Sequence, residues 1–513
     1  MNTSSTPIST PATRTRPIPG PSPEWQFPAF ERHTLANGTN VLACHLPDRP
    51  VLDVRIVFDG GIRREEPQFA GLSSITARSL VEGTELRHGP AFNETVELLG
   101  GRVGASTDWK GLFAAISIPV TALIPGLELL TELVATPGLR DEDVARNIRR
   151  RADETSFEQM MPQASALNAF NSAVFAPGAR AAVHPHGASE SVANLEPGMA
   201  KEWWNRFVGP AGSTLIVTGD LSGLDLITAL EKTVGQWTGT TGEADALGLE
   251  ALATSPSTLV VDFPQGVQTN LFIGRAMPPV AYEDLAPMSA ASHVVAGYFA
   301  SRLITKLREE MGVTYGVFSG MQNIGGASVF FTTTSVDEPA TAEATAIIVE
   351  ELSTLSQTLT DDEVQRATDH MVRRSPIAYK TVGAVAMALH NLVLNGHPDD
   401  HVDRNRARLA ALSASDVAEA WSRYISTDQI TVVAGGPAAK ITEPLRAVRP
   451  DVEVKAPELD LSKLAASIKT PDGKPIDPAQ LAALLASGAA KQARPAAPGT
   501  QAESPKQADS PKQ

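Results

Sequence analysis

Two stretches decide how this chain is built: Ala200-Lys201-Glu202-Trp203-Trp204-Asn205-Arg206-Phe207 and Val417-Ala418-Glu419-Ala420-Trp421-Ser422-Arg423-Tyr424. They align at a constant offset, 217 residues from Trp204 to Trp421. The register holds without a gap from Leu195/Leu412 through Thr214/Thr431 to Gly219/Gly436. Each copy reads as a helix carrying a Trp and an Arg-aromatic pair, followed by a turn, a β run and a Gly. Such self-similarity marks an internal duplication. Because each copy mixes helices with short alternating strands, the fold class is α+β, not a parallel doubly wound sheet.

Composition sets the outer limits. At 513 residues the chain can bury two or more cores, and 42% hydrophobic with 20% charged residues is a globular profile. A net charge of −15 argues against nucleic acid or an anionic membrane as a main partner. The single cysteine, Cys44, rules out an internal disulfide framework and a cysteine-based zinc site. The N-terminus carries Ser, Thr, Pro and Arg without an apolar core, so no secretory signal is visible and a cytoplasmic location is expected. No stretch reads as a membrane span. Residues 311–336 are diluted by Gly, Thr and Ser, and 111–127 are broken by Pro119 and Pro125.

Along the chain, residues 1–27 form a Pro/Ser/Thr-rich leader expected to be disordered. The first domain is expected over 28–238, a Gly/Thr/Ala/Ser-rich linker over 239–256, and the second domain over 257–448. Residues 449–513 read as a low-complexity tail ending in the repeat Ser504-Pro505-Lys506-Gln507 and Ser510-Pro511-Lys512-Gln513. Strands are expected at Val51 to Phe58 and Phe113 to Ile118. Helices are expected from Phe69 to Glu82, Ala91 to Leu99, Ile124 to Thr136 and Asp141 to about Gln163. The Arg149-Arg150-Arg151 run, preceded by Asp141, Glu142 and Asp143, reads as a charged helix face.

Four further segments carry a family resemblance. Leu307-Arg308-Glu309-Glu310-Met311-Gly312-Val313-Thr314-Tyr315-Gly316-Val317 resembles the Arg/Tyr segment of the pitrilysin/insulinase zinc peptidases, the inverzincins. Gly71-Leu72-Ser73-Ser74-Ile75-Thr76-Ala77-Arg78 with Gly83-Thr84 resembles their zinc-site helix. Leu98 to Thr107 resembles the Gly-Gly…Asn-Ala-x-Thr stretch, and His184-Pro185-His186-Gly187 the usual His-Pro-aromatic-Gly. The resemblance spans roughly Phe30 to Val448. It implies two homologous halves, each an antiparallel sheet with helices packed on one face, enclosing a peptide.

One half of the implied site departs from the family. Where the family has His-x-x-Glu-His, this chain has Ser74, Ala77 and Arg78 at the two ligand positions and the base. A hydroxyl, a methyl and a cation do not bind Zn²⁺. By spacing, Glu154 matches the family's third ligand, with Glu158 a weaker match. No catalytic residue and no metal are therefore expected here, and no cofactor in this chain. The Arg/Tyr half is retained: Met311-Gly312 reads as a helix end, with Arg308 in the last turn and Tyr315 on the next strand. The resemblance implies that these two bind a peptide carbonyl and its oxyanion in trans, completing a zinc-bearing paralogous subunit. The other reading is a proteolytically inactive peptide-binding or structural protein. The mitochondrial non-catalytic subunit of the family has a Gly-rich loop before this segment, whereas Val295 to Arg302 here contains only Gly297. His184-x-His186 reads as turn chemistry and His397-Pro398-Asp399-Asp400-His401 as a solvated loop; Gly60-Gly61 and Gly100-Gly101 lack phosphate-loop context.

Overall fold

The computed structural model describes residues 20, 24–239, 248–456, 476–477 and 479–481. Two six-stranded sheets frame it. The first contains β1 (Glu31–Thr34), β2 (Asn40–His45), β3 (Val51–Phe58), β4 (Arg102–Thr107), β5 (Leu112–Pro119) and β6 (Thr214–Gly219), ordered β1-β2-β6-β3-β5-β4. The second contains β7 (Thr258–Asp262), β8 (Gln268–Met277), β9 (Thr314–Ile324), β10 (Ala327–Asp337), β11 (Thr431–Gly436) and β12 (Val452–Lys455), ordered β12-β7-β11-β8-β10-β9. Most neighbours are antiparallel, while β2–β6, β7–β11 and β7–β12 run parallel. The duplicated β runs, β6 and β11, hold the same place in both orders.

The first half supplies helices α1 (Leu72–Leu80), α2 (Pro90–Leu98), α3 (Leu123–Ala135), α4 (Asp141–Gln159), α5 (Pro162–Val174), α6 (Ser189–Ala193), α7 (Pro197–Phe207) and α8 (Leu226–Lys232). The second supplies α9 (Leu285–Ala296), α10 (Thr341–Thr358), α11 (Asp361–Ala378), α12 (Val382–Asn395), α13 (His401–Ala411), α14 (Ala414–Tyr424) and α15 (Ala438–Val448). The repeated tryptophans explain why the duplicated segment kept its register. Trp204 on α7 donates its indole N–H to the Val134 carbonyl of α3 at 3.2 Å, and Trp421 on α14 donates to Leu352 of α10 at 3.0 Å. Each ring also meets an aromatic edge-on, Phe58 at 5.7 Å and Phe330 at 5.0 Å. A buried indole needs such a partner, and the two halves provide the same one.

The halves are interlocked. α5 leaves the first half and lays Ala166, Phe170 and Val174 on Leu259, Val261, Phe272 and Val433 of the second sheet. α12 does the reverse, with Val385 and Leu389 against Leu42, Cys44, Val57 and Ile216. Each sheet therefore carries its own helices on one face and a donated helix on the other. This explains why β3 is buried at every position from Leu52 to Phe58, its two charged residues, Asp53 and Arg55, being paired with each other at 2.9 Å.

Several boundaries differ from the sequence reading. The helix expected from Asp141 to Gln163 is two helices, because Pro162 has no N–H to continue α4 and instead starts α5 at its first turn. The leader is ordered from residue 24: Trp25 stacks on Tyr379 at 5.6 Å and Phe27 meets the same ring edge-on at 5.2 Å. The second unit runs past Val448 to Lys455, since β12 pairs with β7. Within the expected linker, Ala251 and Ala253 hydrogen-bond Ala176 and Val174, while residues 240–247 lie outside the described residues. In the tail, Leu481 is buried, and the terminal Ser-Pro-Lys-Gln repeat lies outside the described residues. Among the described residues, no single helix is long and apolar enough to cross a membrane.

Candidate functional site

The start of α1 is fixed by a buried carboxylate. Glu65, fully buried, accepts hydrogen bonds from the backbone N–H of Gly71 at 3.0 Å and of Ser73 at 2.7 Å, and from the Ser73 hydroxyl at 2.6 Å. A negative group at a helix N-terminus satisfies orphan N–H groups and suits the helix dipole. Arg180 pairs with the same carboxylate at 2.6 Å and 2.9 Å and also donates to the Pro185 carbonyl at 2.7 Å. Glu65 and Arg180 thus staple the start of α1 to the loop containing His184 and His186. That contact is tight enough to demand glycine on both sides. Gly71 (φ +104°) and Gly187 (φ +88°) face each other's segments, and a Cβ on either would strike a backbone carbonyl.

On α1, Ser74 and Ala77 are buried and Arg78 points to α4. One terminal nitrogen of Arg78, Nη1, donates to both oxygens of Glu154, at 3.0 Å and 2.8 Å. Arg150 Nε lies 3.3 Å from the same carboxylate. One helical position further, Arg151 is 2% exposed and forms a fork with Glu158 at 2.7 Å and 2.9 Å. It also donates to the carbonyls of His186 and Gly187, both at 2.9 Å, and to His184 Nδ1 at 3.0 Å. Burial opposes ionisation of Glu154, but hydrogen bonding and charge from Arg78, then Arg151, hold the carboxyl below its ordinary value. His184 Nδ1 accepts a second hydrogen from the His186 N–H at 3.1 Å, so the ring is neutral. Burial, reinforced by Arg151, pushes His184 down to about 4, and burial with Arg151 and Arg78 lowers His186.

These residues do not fit zinc. Ala77 offers no donor atom, the lone pair of His184 Nδ1 is already used, and two guanidiniums occupy the carboxylates a cation would need. Among the described residues, a three-donor cluster occurs elsewhere, at His88, Glu142 and Asp143, where Arg146 already pairs with Asp143 at 2.8 Å.

The Arg/Tyr segment sits apart from this cluster. Residues Ile304–Glu310 form a π-helical turn closed by Met311 N–H to Lys306 O (3.1 Å) and Val313 N–H to Leu307 O (3.0 Å). Gly312 takes the left-handed conformation, φ +68°, that the helix end requires. Arg308 lies over the Phe299 ring at 5.1 Å with Nε 3.3 Å from Glu309. Tyr315 is 92% exposed at the start of edge strand β9. Among the described residues, no hydrogen bond or ion pair joins Arg308 or Tyr315 to the Arg78 cluster.

The structure thus joins Arg78 to Glu154 and Glu154 to Glu158 through Arg151. Three members were missed in the sequence: Glu65, Arg151 and Arg180. For Arg151 a signal existed, because it lies seven residues after Val144 in the buried stripe Val144, Asn147, Arg151, Thr155. The charged face assigned to it is correct for Arg149 and Arg150 only. His401, read as solvated, is half-buried against the Tyr282 hydroxyl at 2.9 Å and stacked on His397.

With the geometry in hand, comparison with known proteins is informative. Residues 40–182 match the family described as Insulinase (Peptidase family M16), and residues 194–371 the Peptidase M16 inactive domain. An uncharacterized zinc protease of Streptomyces coelicolor is 21% identical over 434 residues, 81% of this chain and 90% of that protein. The mitochondrial-processing peptidase subunit alpha of Neurospora crassa is 30% identical over 115 residues, 22% of this chain and 20% of that protein. Among solved structures, the peptidase M16 inactive domain from Pseudomonas fluorescens superposes with a TM-score of 0.73 at 19% identity, covering 80% of this chain and 98% of that one. A chain of complex III2 from Candida albicans gives 0.67 at 15% identity, covering 82% and 100%.

Proposed function

The chain belongs to the insulinase family of M16 peptidases, and from that premise we propose that it is the non-catalytic subunit of a heterodimeric zinc peptidase. In this reading it carries no zinc and supplies Arg308 and Tyr315 to a zinc-bearing paralogue that cleaves peptides. The observation that carries the proposal is the contrast between the two half-sites. Arg78, Arg151, Glu154 and Glu158 pair with one another where zinc would be held, whereas the Tyr315 side chain stands in solvent with no partner among the described residues. An exposed phenol and the guanidinium of the preceding helical turn can each donate to a carbonyl oxygen as negative charge develops there.

The test is co-expression with a paralogue carrying an intact His-x-x-Glu-His. Metal analysis of this chain alone should give well below one zinc per molecule. In the assembled pair, Tyr315→Phe or Arg308→Ala should lower turnover about 10²–10³-fold, the loss typical of one oxyanion donor. Assembly, checked by size-exclusion chromatography, should persist. Full activity of both variants overturns the proposal. It would favour the second reading, a proteolytically inactive peptide-binding or structural protein, which the fold shared with a chain of Candida albicans complex III2 supports.

A further inference from the structure

The paired side chains in the first half leave something over. Arg78, Arg150 and Arg151 face only Glu154 and Glu158, while Glu65 and Arg180 neutralise each other. His184 adds no charge, because its Nδ1 accepts two hydrogens, and burial with Arg151 and Arg78 disfavours a charge on His186. The cluster therefore carries one excess positive charge. The excess has an address: Arg78 spends only Nη1 on Glu154. Its Nη2 and Nε make no hydrogen bond among the described residues, and the side chain is 32% exposed. A guanidinium with one free edge matches the two oxygens of a carboxylate.

The rim supplies a second recognition element. Phe157, 59% exposed, projects from α4 three residues after Glu154, and Met161, 43% exposed, follows in the extended residue that leads into α5. Residues three and four apart on a helix lie on one face, about 5–6 Å from each other. An apolar surface therefore lies on the same helix face as the Glu154 carboxylate that Arg78 holds through Nη1. An Asp or Glu side chain would bring a charge to the rim and nothing apolar.

We propose that the altered first half-site binds the C-terminal carboxylate of a peptide whose last residue is apolar, with Arg78 receiving the carboxylate and Phe157 and Met161 the terminal side chain. The site takes part in no bond cleavage. It requires neither a partner subunit nor Arg308 and Tyr315, so its failure and that of the proposed peptidase role are separable.

The experiment uses the full chain alone and fluorescence anisotropy of an N-terminally labelled hexapeptide ending in Leu. The free-acid peptide should bind, and its C-terminally amidated twin at least about tenfold more weakly, as expected on losing a charge-assisted hydrogen bond. Arg78→Gln should abolish the difference between acid and amide. That variant keeps its fold because Glu154 retains Arg150 and Arg151, and an unchanged melting temperature verifies this. Phe157→Ser should weaken the Leu-ended peptide more than a Gly-ended one, while Arg446→Gln on α15 changes neither. Equal affinity for acid and amide overturns the proposal. So does equal binding of an amidated peptide with Asp at the end, or no binding of the free acid at about 1 mM, where affinity is negligible.

Discussion

Arg151 shows how much of the cluster around Glu154 and Glu158 one side chain can hold together. It is buried, and it satisfies Glu158, two loop carbonyls and the lone pair of His184. Removing one partner of a buried pair leaves the rest uncompensated. Arg151→Ala should therefore destabilise the protein by about 3 kcal/mol in urea denaturation, whereas Arg149→Ala on the solvent face should change it by less than about 0.5 kcal/mol. The histidines make a pH prediction. Burial, first of all, lowers His184, His293 and His401, each to about 4. Their folded values lie below the ordinary 6.5, so their contribution is complete above pH 6.5 and is lost as pH falls toward 4. Glu363, lowered to about 2 by the hydrogen bonds of Arg302 and Thr360 against the opposing effect of burial, contributes above 4.5 and weakens only below it. Between pH 6.5 and 4.5 a falling melting temperature is therefore the work of histidines. A flat profile over that window would show that these rings take up protons as readily in the fold as in the unfolded chain.

At the scale of elements, the positions that matter are where helices meet sheets. Gly435 on β11 lies under the first turn of α5, and a Cβ there would come 2.6 Å from the Pro162 carbonyl oxygen. Gly435→Ala should force α5 away from the second sheet at a cost of about 1–3 kcal/mol, seen as a lower urea midpoint. Gly104→Ala on β4, where a Cβ meets nothing within 4 Å, should be neutral. Elements of this kind were well legible in the sequence where a local rule governs them. β3 matches its expected bounds, Val51 to Phe58, and Gly312 ends its helix in the left-handed conformation that a C′ glycine supplies. The helix break at Pro162 was legible too, since a proline has no N–H to continue α4 and suits the first turn of α5. Glu65 and Arg180 were not, because 115 residues separate them and only the folded loop brings them together.

For the whole molecule, the duplicated tryptophans revealed two related halves, but pattern alone did not reveal their interlocking. An apolar stripe on α5 or α12 is the same whether it faces its own sheet or the other one. The structure makes a direct prediction: residues 24–239 or 248–456 expressed alone should expose a sheet face, bind a hydrophobic dye and aggregate. Co-expressed as two pieces, they should assemble into a soluble complex by size-exclusion chromatography, since each supplies the other's covering helix. Soluble, cooperatively melting separate halves would contradict this. The crossing of α5 and α12 also bears on ancestry. Before duplication, a single unit of this design had no helix for its second face except one from another copy of itself. A precursor of this design made of two identical chains would exchange these helices, and joining the two would turn that symmetric embrace into one polypeptide. Thereafter each half could change its chemistry, as the first has done around Arg78, but neither could be deleted without unclothing the other.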